Sequence, residues 1–172
     1  WLLPGWAADR AADWVAAVQQ VTAQAPFRVM TRPGGAPLSV AMSNCGAWGW
    51  VSDDKRYHYS SVDPHTGAPW PAIPSFIWEQ AVAAADAAGY PGYALDACLM
   101  NRYQPGAKLT LHRDEDEADL SAPIVSVSLG LPCHFVWGGL QRSDPVRSLR
   151  LEHGDVLVWG GASRMVFHGV RP

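Results

Sequence analysis

The chain has 172 residues, 48% of them hydrophobic and 17% charged, which fits one globular domain and excludes a disordered segment. A formal net charge of −3 argues against non-specific adhesion to nucleic acid, which needs dense lysine and arginine, but leaves room for a local basic rim. No apolar run approaches the roughly 20 residues that span a bilayer. Cys45, Cys98 and Cys133 are odd in number and lack a C-x-x-C, so free thiols in a reducing, cytoplasmic compartment are expected rather than a disulfide framework.

In chain order, Trp1 to Pro4 is too short for a signal peptide and lacks a basic start. Residues 9–23 read as an amphipathic helix, with Trp14, Val18 and Val21 at i, i+4 and i+7, Asp9 as a cap and Pro26 as a stop. Leu38 to Met42 alternates as a strand. Residues 76–88 read as a second helix, with Ser75 as N-cap, Gly89 at C′ and Pro91 beyond. The rest reads as strand: Lys108 to Asp114, Val125 to Leu129, Cys133 to Trp137, Ser148 to Glu152, Asp155 to Trp159 and Arg164 to His168. Turns at Gly138-Gly139, Ser143-Asp144-Pro145, Gly154-Asp155 and Gly160-Gly161 separate several of them.

Two helices followed by many short strands predict an α+β fold, a double-stranded β-helix (jelly roll) with the helices packed on one sheet. Without repeats or linkers, residues 1–172 form a single domain. Residues 1–95 carry the helices and 96–172 the strand-rich core.

The most informative feature is His112-Arg113-Asp114. On a strand, residues two apart face the same way, so an imidazole and a carboxylate sit side by side. They are two thirds of a two-His, one-carboxylate facial triad, the ligand set that holds Fe(II) and leaves one face open. His168, far along the chain, is the natural third ligand. Such a triplet also arises by chance. His112 then reads as a satisfied strand histidine and His168 as the partner of a turn, and Zn(II) would accept the same donors. None of His58, His65, His134 and His153 has a carboxylate at matching spacing on a recognised motif, and they read as ordinary surface or hydrogen-bonded histidines.

Four patterns line up in order: Asn101-Arg102-Tyr103-Gln104-Pro105-Gly106, His112-Arg113-Asp114, the strand ending Ser128-Leu129-Gly130, and Gly154-Asp155 through Gly161 followed by His168-Gly169. This order resembles the AlkB family of Fe(II)- and 2-oxoglutarate-dependent dioxygenases, in particular its bacterial DNA-alkylation repair members. Ser39 to Gly46, Asp63-Pro64 and Gly89-Tyr90-Pro91 add to the resemblance, which covers nearly the whole chain. It implies that His112, Asp114 and His168 ligate iron and are the catalytic centre, and that Asn101 and Tyr103 donate hydrogen bonds to 2-oxoglutarate. Family members carry a further strand, R-x-N-x-T-x-R, whose arginines bind the far carboxylate of 2-oxoglutarate. This sequence begins at Trp1 without Met and stops before that strand, so both ends read as cut, the jelly-roll core as truncated, and weak binding of 2-oxoglutarate with poor turnover is expected.

On the substrate side, the resemblance makes Trp50, Tyr57 and Tyr59 part of a nucleotide-recognition loop within residues 1–95. The cationic bases 1-methyladenine and 3-methylcytosine would gain cation–π attraction from Trp50, with the His112 ring on the other side. Asp116 matches a position near the exocyclic amine of the damaged base, and Arg142 a substrate contact; their plainer readings are a solvated acid and a solvated loop arginine. Arg28, Arg32, Lys55 and Arg56 are candidates for a phosphate rim. The base must leave the stack to reach the iron. The implied reaction consumes O2 and 2-oxoglutarate, yields succinate and CO2, and releases the methyl group of alkylated DNA, single- or double-stranded, as formaldehyde. Two other readings stand beside it: a dioxygenase acting on RNA or a small molecule, and a non-catalytic jelly-roll module that binds nucleic acid. A monomer without membrane contact is expected.

Overall fold

A computed structural model describes residues 1–172. The chain divides into two compact units. One comprises residues 1–11, 80–93 and 105–172, and the other residues 12–79 and 94–104.

The second of these holds the first helix and five strands. A 3-10 turn at Ala8–Arg10 leads into α1, Ala11–Thr22, which buries Trp14, Ala17 and Val21. Strand β2 (Arg28–Thr31) pairs with β3 (Pro37–Gly46), and β3 with β6 (Ala97–Arg102), all antiparallel. Strands β4 (Gly49–Ser52) and β5 (Tyr57–Ser60) form a separate hairpin. Trp14, Val40, Met42, Val51, Trp70 and Met100 are buried there. An ion pair closes one side, where Arg28 Nη2 lies 2.6 Å from Oδ2 of the buried Asp63.

The other unit is a pair of antiparallel sheets, the layout of a jelly roll. One sheet has the order β1 (Leu2–Leu3), β11 (Val156–Trp159), β8 (Ile124–Val127). The second runs β10 (Arg147–Leu151), β9 (Cys133–Trp137), β12 (His168–Arg171), β7 (Leu109–His112). Val136, Leu151, Val156, Leu157 and Val158 form its apolar interior. The turn into β11 is held by Asp155, whose carboxylate accepts the N–H groups of Gly5 and Glu152 at 2.8 and 2.9 Å.

Helix α2 spans Ser75–Ala87. Its small residues Ala81, Ala84 and Ala85 are buried. Gly89 ends it at φ +88°, with the Tyr90 N–H donating to the Ala85 carbonyl at 2.9 Å, as a left-handed C′ residue should.

Several sequence expectations are corrected. Asp9 does not cap α1: it lies inside the 3-10 turn, and no side chain caps that turn. Strand β7 ends at His112, so Asp114 lies two residues past it. Arg164 follows a 3-10 turn, Gly161–Ser163, and strand structure resumes only at His168. Trp50, Tyr57 and Tyr59 are not on a loop but on the paired strands of the β4–β5 hairpin. The helices, the antiparallel jelly-roll sheets and the strand at Cys133–Trp137 are as predicted. No helix is long and apolar enough to cross a membrane.

Candidate metal centre

β12 and β7 are antiparallel neighbours, and in their register His168 stands directly opposite His112. The two rings are 4.4 Å apart, centroid to centroid. Asp114 reaches back from just beyond β7, with Oδ1 3.6 Å from His112 Nε2 and Oδ2 3.4 Å from His168 Nε2. One donor atom from each residue lies within 4.8 Å of the other two.

The far side of each ring decides which nitrogen is free. His112 Nδ1 is 2.8 Å from the Thr110 carbonyl, and His168 Nδ1 is 3.2 Å from the Val166 carbonyl. A carbonyl can only accept, so each Nδ1 carries the proton and each Nε2 presents a lone pair to the shared point. Burial pushes the His112 imidazolium down and His168 beside it adds to this, so the ring is held neutral. Burial pushes the Asp114 carboxyl up, but His168, His112 and Arg164 around it outweigh this and keep the carboxyl below its usual range. Two imidazole nitrogens and a carboxylate converge. That donor set fits Fe(II), and Zn(II) equally, and does not suit the all-oxygen preferences of Ca(II) or Mg(II).

Further residues hold the arrangement. His168 is buried against Phe135 of β9, at 5.7 Å, and Trp159 of β11, at 5.1 Å, so its position depends on both sheets. Gly169 lets β12 lie close to β7: a Cβ there would come within 2.5 Å of the Leu109 carbonyl oxygen. The glycine of the His-Gly motif is therefore a steric requirement of the His112–His168 pairing. Arg164, only 2% exposed, anchors the segment carrying Asp114. Its guanidinium donates to the Asp114 carbonyl at 2.7 Å and the Ala122 carbonyl at 3.1 Å, and pairs with Glu117 at 3.1 Å. Sequence reasoning missed this role, because an arginine in a short mixed run carries no local signal of burial.

In the same unit, Arg142 is exposed and lies over the Phe167 ring at 5.1 Å, with Arg113 at 4.9 Å from that ring. Asp116 is exposed in the segment after Asp114. His134 and His153 have ordinary partners, the Ser148 hydroxyl at 3.1 Å and the Gly130 N–H at 2.9 Å.

In the other unit, Trp50 and Tyr57 stack at 5.4 Å with planes 18° apart, and Tyr59 stands opposite Trp50 across the hairpin. Asn44, buried on β3, clamps this strand. Its amide donates to the Trp50 carbonyl at 2.9 Å and its carbonyl accepts the Trp50 N–H at 3.0 Å. Asn101 is exposed on β6, and Tyr103 lies one residue beyond that strand's end. Of the expected phosphate rim, Arg32, Lys55 and Arg56 are exposed. Arg28 is not available, since its guanidinium is held by Asp63.

Comparison with known proteins agrees with this geometry. The family described as the 2OG-Fe(II) oxygenase superfamily matches residues 1–172. The alpha-ketoglutarate-dependent dioxygenase AlkB of Escherichia coli (strain K12) is 54% identical over 171 residues, 99% of this chain and 79% of that protein. The tRNA demethylase abh1 of Schizosaccharomyces pombe is 33% identical over 124 residues, 70% of this chain and 40% of that one. Among solved structures, OsALKBH1 superposes with a TM-score of 0.83 at 31% identity, covering 99% of this chain and 84% of that chain.

Proposed function

This chain belongs to the AlkB family of the 2OG-Fe(II) oxygenase superfamily, and we propose that it demethylates N-alkylated bases, 1-methyladenine and 3-methylcytosine, in single- or double-stranded DNA. Enzymes of this type are Fe(II)- and 2-oxoglutarate-dependent dioxygenases. The observation that carries the reading is the convergence of His112, Asp114 and His168, with both Nε2 atoms freed by the carbonyl partners of Nδ1.

In this reading those three residues hold the iron. The bound iron supplies the oxidising chemistry, coupling O2 and the conversion of 2-oxoglutarate to succinate and CO2 to loss of the methyl group as formaldehyde. The chain's own groups bind and orient. Asp114 would offset part of the metal charge, and His112 and His168 would complete one face. Phe135 and Trp159 exclude water from the side of His168. Asn101 and Tyr103 donate to 2-oxoglutarate. The stacked Trp50–Tyr57 pair, with Tyr59 across the hairpin, presents an aromatic wall suited to a cationic base. Asp116 favours that base over a neutral one, and Arg142 contacts the nucleic acid. The free Cys45, Cys98 and Cys133 suit a monomer working in the reducing cytoplasm.

The test is formaldehyde release from oligonucleotides carrying 1-methyladenine or 3-methylcytosine, with Fe(II), 2-oxoglutarate and O2 supplied. We expect release from both and none from the Asp114→Ala variant. Release undiminished by that substitution, or activity confined to methylated RNA or free nucleosides, would overturn the assignment.

A further inference from the structure

Cys45 on β3 and Cys98 on β6 are direct partners in the antiparallel register. Cys45 is fully buried and Cys98 is partly exposed, and neither is in a disulfide. Their flanking pairs, Asn44 with Leu99 and Gly46 with Ala97, hold them opposite each other along a six-residue ladder. Nothing in the demethylation reading uses them. We propose that Cys45 and Cys98 form a reversible two-cysteine redox site, in which hydrogen peroxide oxidises Cys98 and Cys45 resolves it to a cross-strand disulfide.

The asymmetry of the pair assigns the roles. The interaction between the two opposed thiols holds Cys98 below its ordinary range against the opposing effect of burial, and pushes Cys45 up. A half-buried cysteine whose thiol is held below its ordinary range, directly opposite a second cysteine, has the features of a peroxide-reactive site with its resolving partner. The reaction balances in two steps. The Cys98 thiolate attacks one peroxide oxygen, the O–O bond breaks, and the departing hydroxide takes the Cys45 proton as water, leaving a sulfenic acid. The Cys45 thiolate then attacks the Cys98 sulfur and displaces hydroxide, which leaves as a second water on protonation. Two thiols and one peroxide give one disulfide and two waters.

The bond should be reducible. Directly opposed Cβ atoms in a sheet lie about 4.5–5.5 Å apart, wider than the roughly 3.8 Å of a relaxed disulfide. Closing it pulls the strands together, and strained disulfides are the labile ones. The pair also sits one residue from Asn44, the clamp on Trp50.

The test uses the full chain, freed of iron by a chelator so that peroxide is not spent at a redox metal. After peroxide treatment and alkylation, non-reducing peptide mapping should show one Cys45–Cys98 cross-link. Free thiols should fall from three to one and return to three with dithiothreitol. Cys133→Ser should leave the cross-link unchanged. Cys45→Ser, checked for folding by circular dichroism, should accumulate a dimedone-reactive sulfenic acid on Cys98. The proposal is overturned if all three thiols survive peroxide levels that oxidise free cysteine. It is equally overturned if Cys98 proceeds to sulfinate with Cys45 untouched, or if the cross-link involves Cys133 or a second molecule.

Discussion

Arg164 shows what a single side chain contributes when it is buried behind a site. Its three partners are two main-chain carbonyls, one of them on Asp114, and Glu117. Removing the guanidinium leaves those groups without their donor in a nearly water-free setting, and breaking such a buried arrangement costs about 3 kcal/mol. Arg164→Ala should therefore lower the denaturant midpoint clearly. Arg164→Lys keeps the charge but cannot reach both carbonyls and the carboxylate with a planar fork. It should retain most of the stability yet bind Mn(II), a redox-stable stand-in for Fe(II), about 10-fold more weakly or worse. Calorimetric titration measures this, and unchanged affinity in Arg164→Lys would show that the arginine supports only the fold. Asp63 gives a second prediction at this scale. Burial pushes its carboxyl up, but the Arg28 fork and the His65 N–H outweigh it and hold the carboxyl below its usual range. A carboxyl lowered on folding contributes stability that is fully present above its unfolded value, about 3.9. That contribution fades as pH falls through the lower folded value. Acid titration of unfolding should show this loss below about pH 4, and Asp63→Asn should be less stable at neutral pH but lose less on acidification.

Among the elements, the β12–β7 contact sets the geometry of the site. A methyl group on residue 169 would press on the Leu109 carbonyl at 2.5 Å, and backbone does not yield as a flexible side chain does. Gly169→Ala should cost about 1–3 kcal/mol, as overpacking does. It should also weaken Mn(II) binding more than tenfold by moving His168 away from His112, whereas an alanine at the exposed Gly67, φ +71° with open space around it, should leave metal affinity alone. What the sequence makes legible at this scale follows the same physics. Val125 to Leu129 alternates apolar residues with serines, and that two-residue period makes the strand legible in the letters even though every residue of β8 is half-buried. His112 and Asp114 do converge, as the H-x-D spacing predicts, but strand alternation is not the cause. The strand stops at His112, and what holds the following segment is Arg164, fifty residues away. The loop expected around Trp50, Tyr57 and Tyr59 comes from the resemblance, whereas the chain forms the β4–β5 hairpin there. Its signal lies in the connection, where Asp53 Oδ1 accepts the N–H groups of Lys55 and Arg56 at 2.8 Å, an Asx turn announced by Asp-Asp-Lys-Arg. Strand β1 has two residues and is recognisable only from its pairing with β11.

At the scale of the whole chain, the proposed metal ligands are not shared out evenly. His112, Asp114 and His168 all belong to the unit built from residues 1–11, 80–93 and 105–172. A ligand that binds only the folded form stabilises it by RT ln(1 + [L]/Kd), about 2.7 kcal/mol at a hundredfold excess over Kd. For a chain of this length each kcal/mol moves the midpoint by about 2–4 °C, so saturating Mn(II) should raise Tm by roughly 5–10 °C. Because all three donors lie in one unit, the linkage acts on that unit's unfolding directly. If calorimetry resolves two transitions, Mn(II) should shift one and leave the other in place; if it resolves one, the whole transition should move and the two units unfold together. Asp114→Asn removes the anionic donor while nearly preserving shape, and its Tm should not respond to Mn(II) in either case. A metal-induced shift of equal size in Asp114→Asn would place the ion elsewhere on the chain and rule out the three-residue centre.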